Sequence, residues 1–190
     1  MVAALDRRQA TTALFAERGD LLVVTGLGSP AYDAFAAGDH PRNFYLWGAM
    51  GGAVPMGLGL ALARPDEAVL VLTGDGEVLM GLGALATCGV KRPANLTVAV
   101  LDNGRYGETG MQASHTASSV DLMAVATACG FAWTANLATL EAVVAVRPRL
   151  VARAGLGFVR VAVAANETPR ALPPRDGYLL KHRFRTALGV

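Results

Sequence analysis

The chain is poor in charge, cysteine and aromatic rings, and each shortage removes a class of function. Asp, Glu, Lys and Arg make up 17% of its 190 residues and the formal net charge is only +2. A nucleic-acid surface needs dense Lys and Arg interleaved with aromatic rings. Here the aromatic share is 6% and the basic residues gather only in the tail, at residues 175–185, so nucleic acid is not an expected partner. The two cysteines, Cys88 and Cys129, sit in apolar surroundings without Cys-x-x-Cys or Cys/His spacing. That excludes a disulfide scaffold and a zinc site and suggests buried thiols in a reducing compartment.

Continuous apolar spans are also missing. Residues 43–63 and 122–140 are uncharged and long enough to cross a bilayer. The first is interrupted by Gly48, Gly51, Gly52, Pro55, Gly57 and Gly59, the second by Gly130 and Asn136. Both therefore read as paired strand and helix segments inside a folded domain, and no membrane contact is expected. Asp6-Arg7-Arg8 intervenes before any apolar leader develops, so no secretory signal is expected and the cytoplasm is the default location.

What remains is a chain that is 53% hydrophobic and alternates strand and helix signals, the pattern of an α/β fold with a doubly wound parallel sheet and helices on both faces. Strands are expected at residues 21–25, 44–46, 68–73, 96–101, 131–134 and 157–164. Helices are expected at 6–18, from Pro30, at 52–63, 77–88, 121–128 and 137–153, the one over 77–88 being apolar nearly all round and so buried. Residues 102–118 form a polar loop too long for a simple connection, at the strand end where such folds carry their sites. Residues 1–165 read as one domain and 166–190, with Pro169, Pro173 and Pro174, as an arm over the surface or onto a partner.

The most informative residues are two turns. Gly74-Asp75-Gly76 closes one apolar run, and after residues 77–101 a second run ends in Asp102-Asn103-Gly104. Bare backbone N–H groups where a strand turns into a helix suit a diphosphate. Asp75 and Asn103 add hard oxygen ligands of the kind Mg²⁺ takes alongside phosphate, and the Arg105 carbonyl is placed to be a third.

These turns and their spacing resemble the signature of thiamine diphosphate enzymes, with Asp102 standing where the first Asn of an Asn-Asn pair is common. The segment Phe44-Tyr45-Leu46-Trp47-Gly48-Ala49-Met50-Gly51 resembles the part that holds the aminopyrimidine. The run from Leu101 to Gly110 is similar to the small subunits of sulfopyruvate and phosphonopyruvate decarboxylases. The resemblance implies thiamine diphosphate and Mg²⁺ as cofactors, with Asp75, Asn103 and Arg105 as metal ligands. Gly74, Gly76, Glu77, Tyr106 and Gly107 would lie at the cofactor, with the Glu77 side chain turned away and its N–H binding where relatives often carry Ser. Met50 would be the apolar wedge between the cofactor rings, and the Gly48 carbonyl would accept from the pyrimidine amino group. Gly81 and Met111 stand where Asn and Gly are expected. Gln112, Ser114 and His115 form the polar end of the loop that would face the reacting carboxylate, and Met50, Gln112 and His115 are the catalytic candidates.

Gly26-Leu27-Gly28-Ser29-Pro30-Ala31 also matches a dinucleotide fingerprint. The second strand, however, ends in Leu46-Trp47-Gly48 without the carboxylate that would hold a ribose. Gly28 and Ser29 are therefore assigned to the rim of the thiamine site. Enzymes of this kind also need a domain whose Glu activates the pyrimidine, and the chain has no room for it. The resemblance thus implies the diphosphate-binding subunit of a split 2-oxo acid decarboxylase, a hetero-oligomer with a pyrimidine-binding partner. Carboligation or ketol transfer, or a regulatory subunit that kept the fold, would share these motifs.

Overall fold

The computed structural model describes residues 4–190 and places six parallel strands in one sheet. In chain order, α1 (Arg7–Phe15) leads to β1 (Leu22–Thr25), α2 (Ser29–Ala36), β2 (Asn43–Tyr45), α3 (Ala53–Ala63) and β3 (Val69–Gly74). Two short helices follow, α4 (Asp75–Met80) and α5 (Gly83–Lys91), then β4 (Leu96–Asp102). The loop beyond carries a two-stranded antiparallel hairpin, β5 (Arg105–Tyr106) and β6 (Gln112–Ala113). The chain closes with α6 (Leu122–Ala128), β7 (Trp133–Leu137), α7 (Leu140–Val151), β8 (Gly157–Ala162) and α8 (Gly177–Ala187). The large sheet runs β2-β1-β3-β4-β8-β7.

The inner strands are buried on both sides, so they read as unbroken apolar runs. Alternate residues feed two cores. Val23, Leu70, Leu72, Ala99, Leu101 and Val159 face α1, α2 and α7. Leu22, Val24, Val69, Val71, Val98, Val100 and Phe158 face the helices of the other layer. Truncating a residue such as Leu70, with no exposed surface, removes contacts on every side and costs about 2–5 kcal/mol. Side-chain caps start several helices. Asp6, Asp121, Thr139 and Asp176 each accept from backbone N–H groups of the first turn, worth about 1 kcal/mol apiece. No described helix is long and apolar enough to cross a membrane.

Two sequence expectations need correction. The helix over 77–88 is two helices broken at Gly81-Leu82, and it is not buried throughout, since Met80, Ala86 and Thr87 are exposed. The break has a tertiary cause: a Cβ at Gly81 would run into the Gly51 carbonyl, so the backbones touch where a side chain would hold them apart. The strand expected at 131–134 lies at Trp133–Leu137, because Phe131 is used as a core plug beside Phe158 rather than as a ladder residue. The tail, expected as an arm over the surface or onto a partner, contains a further helix. Its residues 177–187 form α8, which buries Leu180 and Phe184 against the edge strand β2. Phe184 meets the Phe44 ring at 5.5 Å and Arg183 donates to the Asn43 carbonyl of that strand at 3.3 Å.

Candidate active site

Strand order reverses between β1 and β3, and α/β sheets open a crevice at such a point, outside the carboxyl ends of the strands. A cavity of about 400 Å³ lies there, within the size range of small-molecule sites. It is lined by Leu27, Ser29 and Pro30 after β1, by residues 74–77 after β3, and by Asn103, Arg105, Tyr106 and Gly107 after β4. Met50 and Met80 stand at its wall, together with Glu108, Thr109 and Arg7. Gly74, Asp75, Gly76, Glu77, Met50 and the Asn103–Gly107 candidates thus converge from separate segments. A core-packing role for Met50 is excluded, since it is 45% exposed. Tyr106 lies so close to the Gly74-Asp75-Gly76 turn that a Cβ on Gly76 would approach its ring to 2.8 Å.

Asp75 is 2% exposed. Its Oδ2 accepts from Ser114 Oγ at 2.5 Å, with Thr116 Oγ1 3.2 Å away. Burial pushes its carboxyl up, the Ser114 hydrogen bond opposes this, and the Asp102 carboxylate adds to it. The Asn103 Oδ1 accepts from the Arg105 N–H at 2.9 Å. Asp102, in place of the Asn common in the resembling enzymes, is itself 5% exposed and fully engaged. Its Oδ1 accepts from Thr116 Oγ1 at 2.8 Å and its Oδ2 from Arg160 Nε at 2.6 Å. Arg160 neutralises the extra charge that the substitution brings.

Glu77 is turned inward, away from the cavity turn. Its carboxylate accepts from Thr73 Oγ1 at 2.9 Å and from the Ala53 N–H at 3.2 Å. Burial raises its pKa, while these donors and the Leu27 and Gly51 amides oppose the rise. A side chain on Gly26 would collide with it. One carboxylate therefore ties together the turns after β1, β2 and β3.

Other candidates fall outside the cavity. Gln112 is exposed and exchanges hydrogen bonds with Thr109 in the hairpin. His115 is exposed and meets the Tyr106 hydroxyl through Nδ1 at 2.6 Å. Neither lines the cavity of this chain, although His115 is bonded to Tyr106, which does. Ser114, read as facing substrate, is buried on Asp75. Gly28 and Gly48 do not line the cavity, and both take φ of +77°. A Cβ on Gly48 would meet no atom of the chain itself, while its positive φ favours glycine. Met111 holds the left-handed φ of +62° that glycine adopts freely. Sequence reasoning missed Thr116 and Arg160. The signal for Arg160 was a lone charge within the apolar run Gly157-Phe158-Val159-Arg160-Val161.

The family described as thiamine pyrophosphate enzyme, C-terminal TPP binding domain, matches residues 29–161. The chain belongs to this family. Thiamine pyrophosphate, the same molecule as thiamine diphosphate, is its cofactor. The sulfopyruvate decarboxylase of Methanosarcina acetivorans is 35% identical over 184 residues, which are 97% of this chain and 47% of that protein. The sulfopyruvate decarboxylase subunit beta of Methanocaldococcus jannaschii is 42% identical over 109 residues, 57% of each chain. The chain thus spans about half the length of these relatives. Among solved structures, a thiamin diphosphate-dependent enzyme from Mycobacterium smegmatis superposes with a TM-score of 0.74 at 23% identity, covering 86% of this chain and 32% of that one. That likeness is one of fold.

The residues of this family member fit the cofactor and its metal. Asp75 forms a buried carboxylate with neutral hydroxyl donors and no ion pair among the described residues, and a bound cation offsets the cost of such burial. Among the described residues there is no cluster of three His, Cys, Asp or Glu. The oxygen donors at the cavity include the Asp75 carboxylate and the Asn103 amide, hard ligands of the kind Mg²⁺ takes next to phosphate.

Proposed function

We propose that the chain is the diphosphate-binding subunit of a thiamine diphosphate-dependent 2-oxo acid decarboxylase that releases CO₂ and an aldehyde. Asp75, Asn103 and the Arg105 carbonyl hold Mg²⁺, and backbone N–H groups of the Gly74–Glu77 turn take the diphosphate. Met50 supports the bent cofactor from the cavity wall. Bound thiamine diphosphate supplies the electron sink for loss of the carboxylate. A pyrimidine-binding partner chain contributes the activating Glu, making the working enzyme a hetero-oligomer of the cytoplasm. The substrate is a small 2-oxo acid with a sulfonate or phosphonate tail, gripped by the Arg105 side chain, which lines the cavity; a guanidinium suits that geometry.

The observation that carries this reading is the convergence of Asp75, Asn103, Arg105 and Met50 on one cavity. Support for the substrate and the partner comes from the names of the relatives, one a whole sulfopyruvate decarboxylase and one its beta subunit. Isothermal titration of thiamine diphosphate with and without Mg²⁺ tests it. Asp75→Ala and Asn103→Ala should each weaken the Mg²⁺-dependent binding. Unchanged affinity in both variants overturns the metal site, and CO₂ release by this chain alone, free of co-purified protein, overturns the split-enzyme reading.

A further inference from the structure

We infer that Ser114 and Thr116 are positioning residues for the metal ligand Asp75. The inference rests on the proposed role of Asp75.

Proton counting separates the two hydroxyls. Each has one hydrogen to give. Ser114 Oγ stands 2.5 Å from Asp75 Oδ2, far closer than the 3.2 Å of Thr116 Oγ1. Thr116 Oγ1 lies closer to Asp102 Oδ1, at 2.8 Å, and to Ser114 Oγ, also at 2.8 Å. Ser114 therefore donates to Asp75 and Thr116 to Asp102, which leaves no proton for a hydrogen bond between the two hydroxyls. Both hydroxyls sit on Oδ2, leaving Oδ1 as the Asp75 oxygen they do not engage. Asp102 has no oxygen to spare, because Thr116 and the Gly104 N–H occupy Oδ1 and Arg160 occupies Oδ2. Of two neighbouring buried carboxylates, only Asp75 keeps a free oxygen.

The clamp belongs to the same loop as the other ligands. Ser114 N–H donates to the Gly104 carbonyl at 2.9 Å, next to Asn103 and Arg105. The loop therefore sets both the distance between the ligands and the rotamer of Asp75. Mg²⁺ demands near-ideal octahedral geometry, whereas Ca²⁺ accepts looser, variable shells. Loss of the clamp should accordingly penalise Mg²⁺ more than Ca²⁺, a signature that general loosening of the fold does not give.

The test titrates Mg²⁺ and, separately, Ca²⁺ into the full chain with saturating thiamine diphosphate. Ser114→Ala should weaken Mg²⁺ binding about 10–100-fold, the range for loss of a ligand's hydrogen-bonded support, and Ca²⁺ binding several-fold less. Ser114→Thr should restore most of the Mg²⁺ affinity. Thr116→Val, whose side chain is only half-buried, should show the same bias with a smaller loss, and it carries the test if Ser114→Ala does not fold. Unchanged Mg²⁺ affinity, or equal losses for the two ions, overturns the positioning role. If Asp75→Ala also leaves the titration unchanged, the fault lies with the cofactor reading itself.

Discussion

Replacing Glu77 separates its role as a buried tie from any role as a charge. In Glu77→Ala the buried Thr73 hydroxyl and Ala53 N–H lose their acceptor. An unsatisfied buried donor costs about 1–3 kcal/mol, so two cost roughly 2–6 kcal/mol, reduced by relief of the carboxylate's own desolvation. Glu77→Gln keeps an oxygen for the Ala53 N–H and offers an amide N–H to the Thr73 hydroxyl, which can accept. It also removes a buried charge that meets no cation among the causes acting on it. The Gln variant should therefore fall within about 1 kcal/mol of the parent, and the Ala variant several kcal/mol below it. Urea unfolding at pH 7 measures both, with m-values checked for constancy. If the Ala variant is no less stable than the Gln variant, the hydrogen bonds to Thr73 and Ala53 do not hold the turns together.

Met50→Ala in the reconstituted enzyme should lower kcat far more than it weakens cofactor binding, because the diphosphate anchor lies elsewhere; steady-state rates beside a cofactor titration decide this. Arg105→Ala should lower kcat/KM for a 2-oxo acid with an anionic tail by about 1.5–3 kcal/mol relative to pyruvate, and equal losses on both substrates would remove the anionic-tail assignment. Burial, with a smaller contribution from the nearby Cys129, pushes the Cys88 thiol up to about 11. Since the thiolate is the reactive form, iodoacetamide at pH 8 should label the partly exposed Cys129 and spare Cys88 until urea unfolds the chain, as peptide mass spectrometry would reveal.

Where one face or both faces of an element were apolar for a purely local reason, the sequence was enough. β3 and β4 stood out because strands covered on both sides have no polar positions, and the turns that end them stood out because Gly-Asp-Gly and Asp-Asn-Gly leave little choice of conformation. What stayed hidden depended on distant partners. The break at Gly81 comes from the Gly51 backbone, and α8 is held by Phe44 and Asn43. The polar loop was recognised as functional, but the burial of Ser114 on Asp75 was not legible, because nothing in Gln112-Ala113-Ser114-His115-Thr116 says which hydroxyl turns inward. Asp102 could be marked as a departure from the expected Asn, yet its compensation by Arg160 requires knowing that β4 and β8 are neighbours.

The packing of α8 on β2 also sets an order of events during synthesis. β2 is made early and joins the sheet as its outermost strand, while its cover is among the last segments to emerge. Until then the Asn43 carbonyl and the Phe44 ring lack their partners Arg183 and Phe184, and uncovered strand edges recruit other chains. A ribosome that stalls before residue 177 would hold a sheet already able to fold but open along one side. Pulse-labelled nascent chains stopped there should sediment with chaperones or with one another, while chains extended through Ala187 should not.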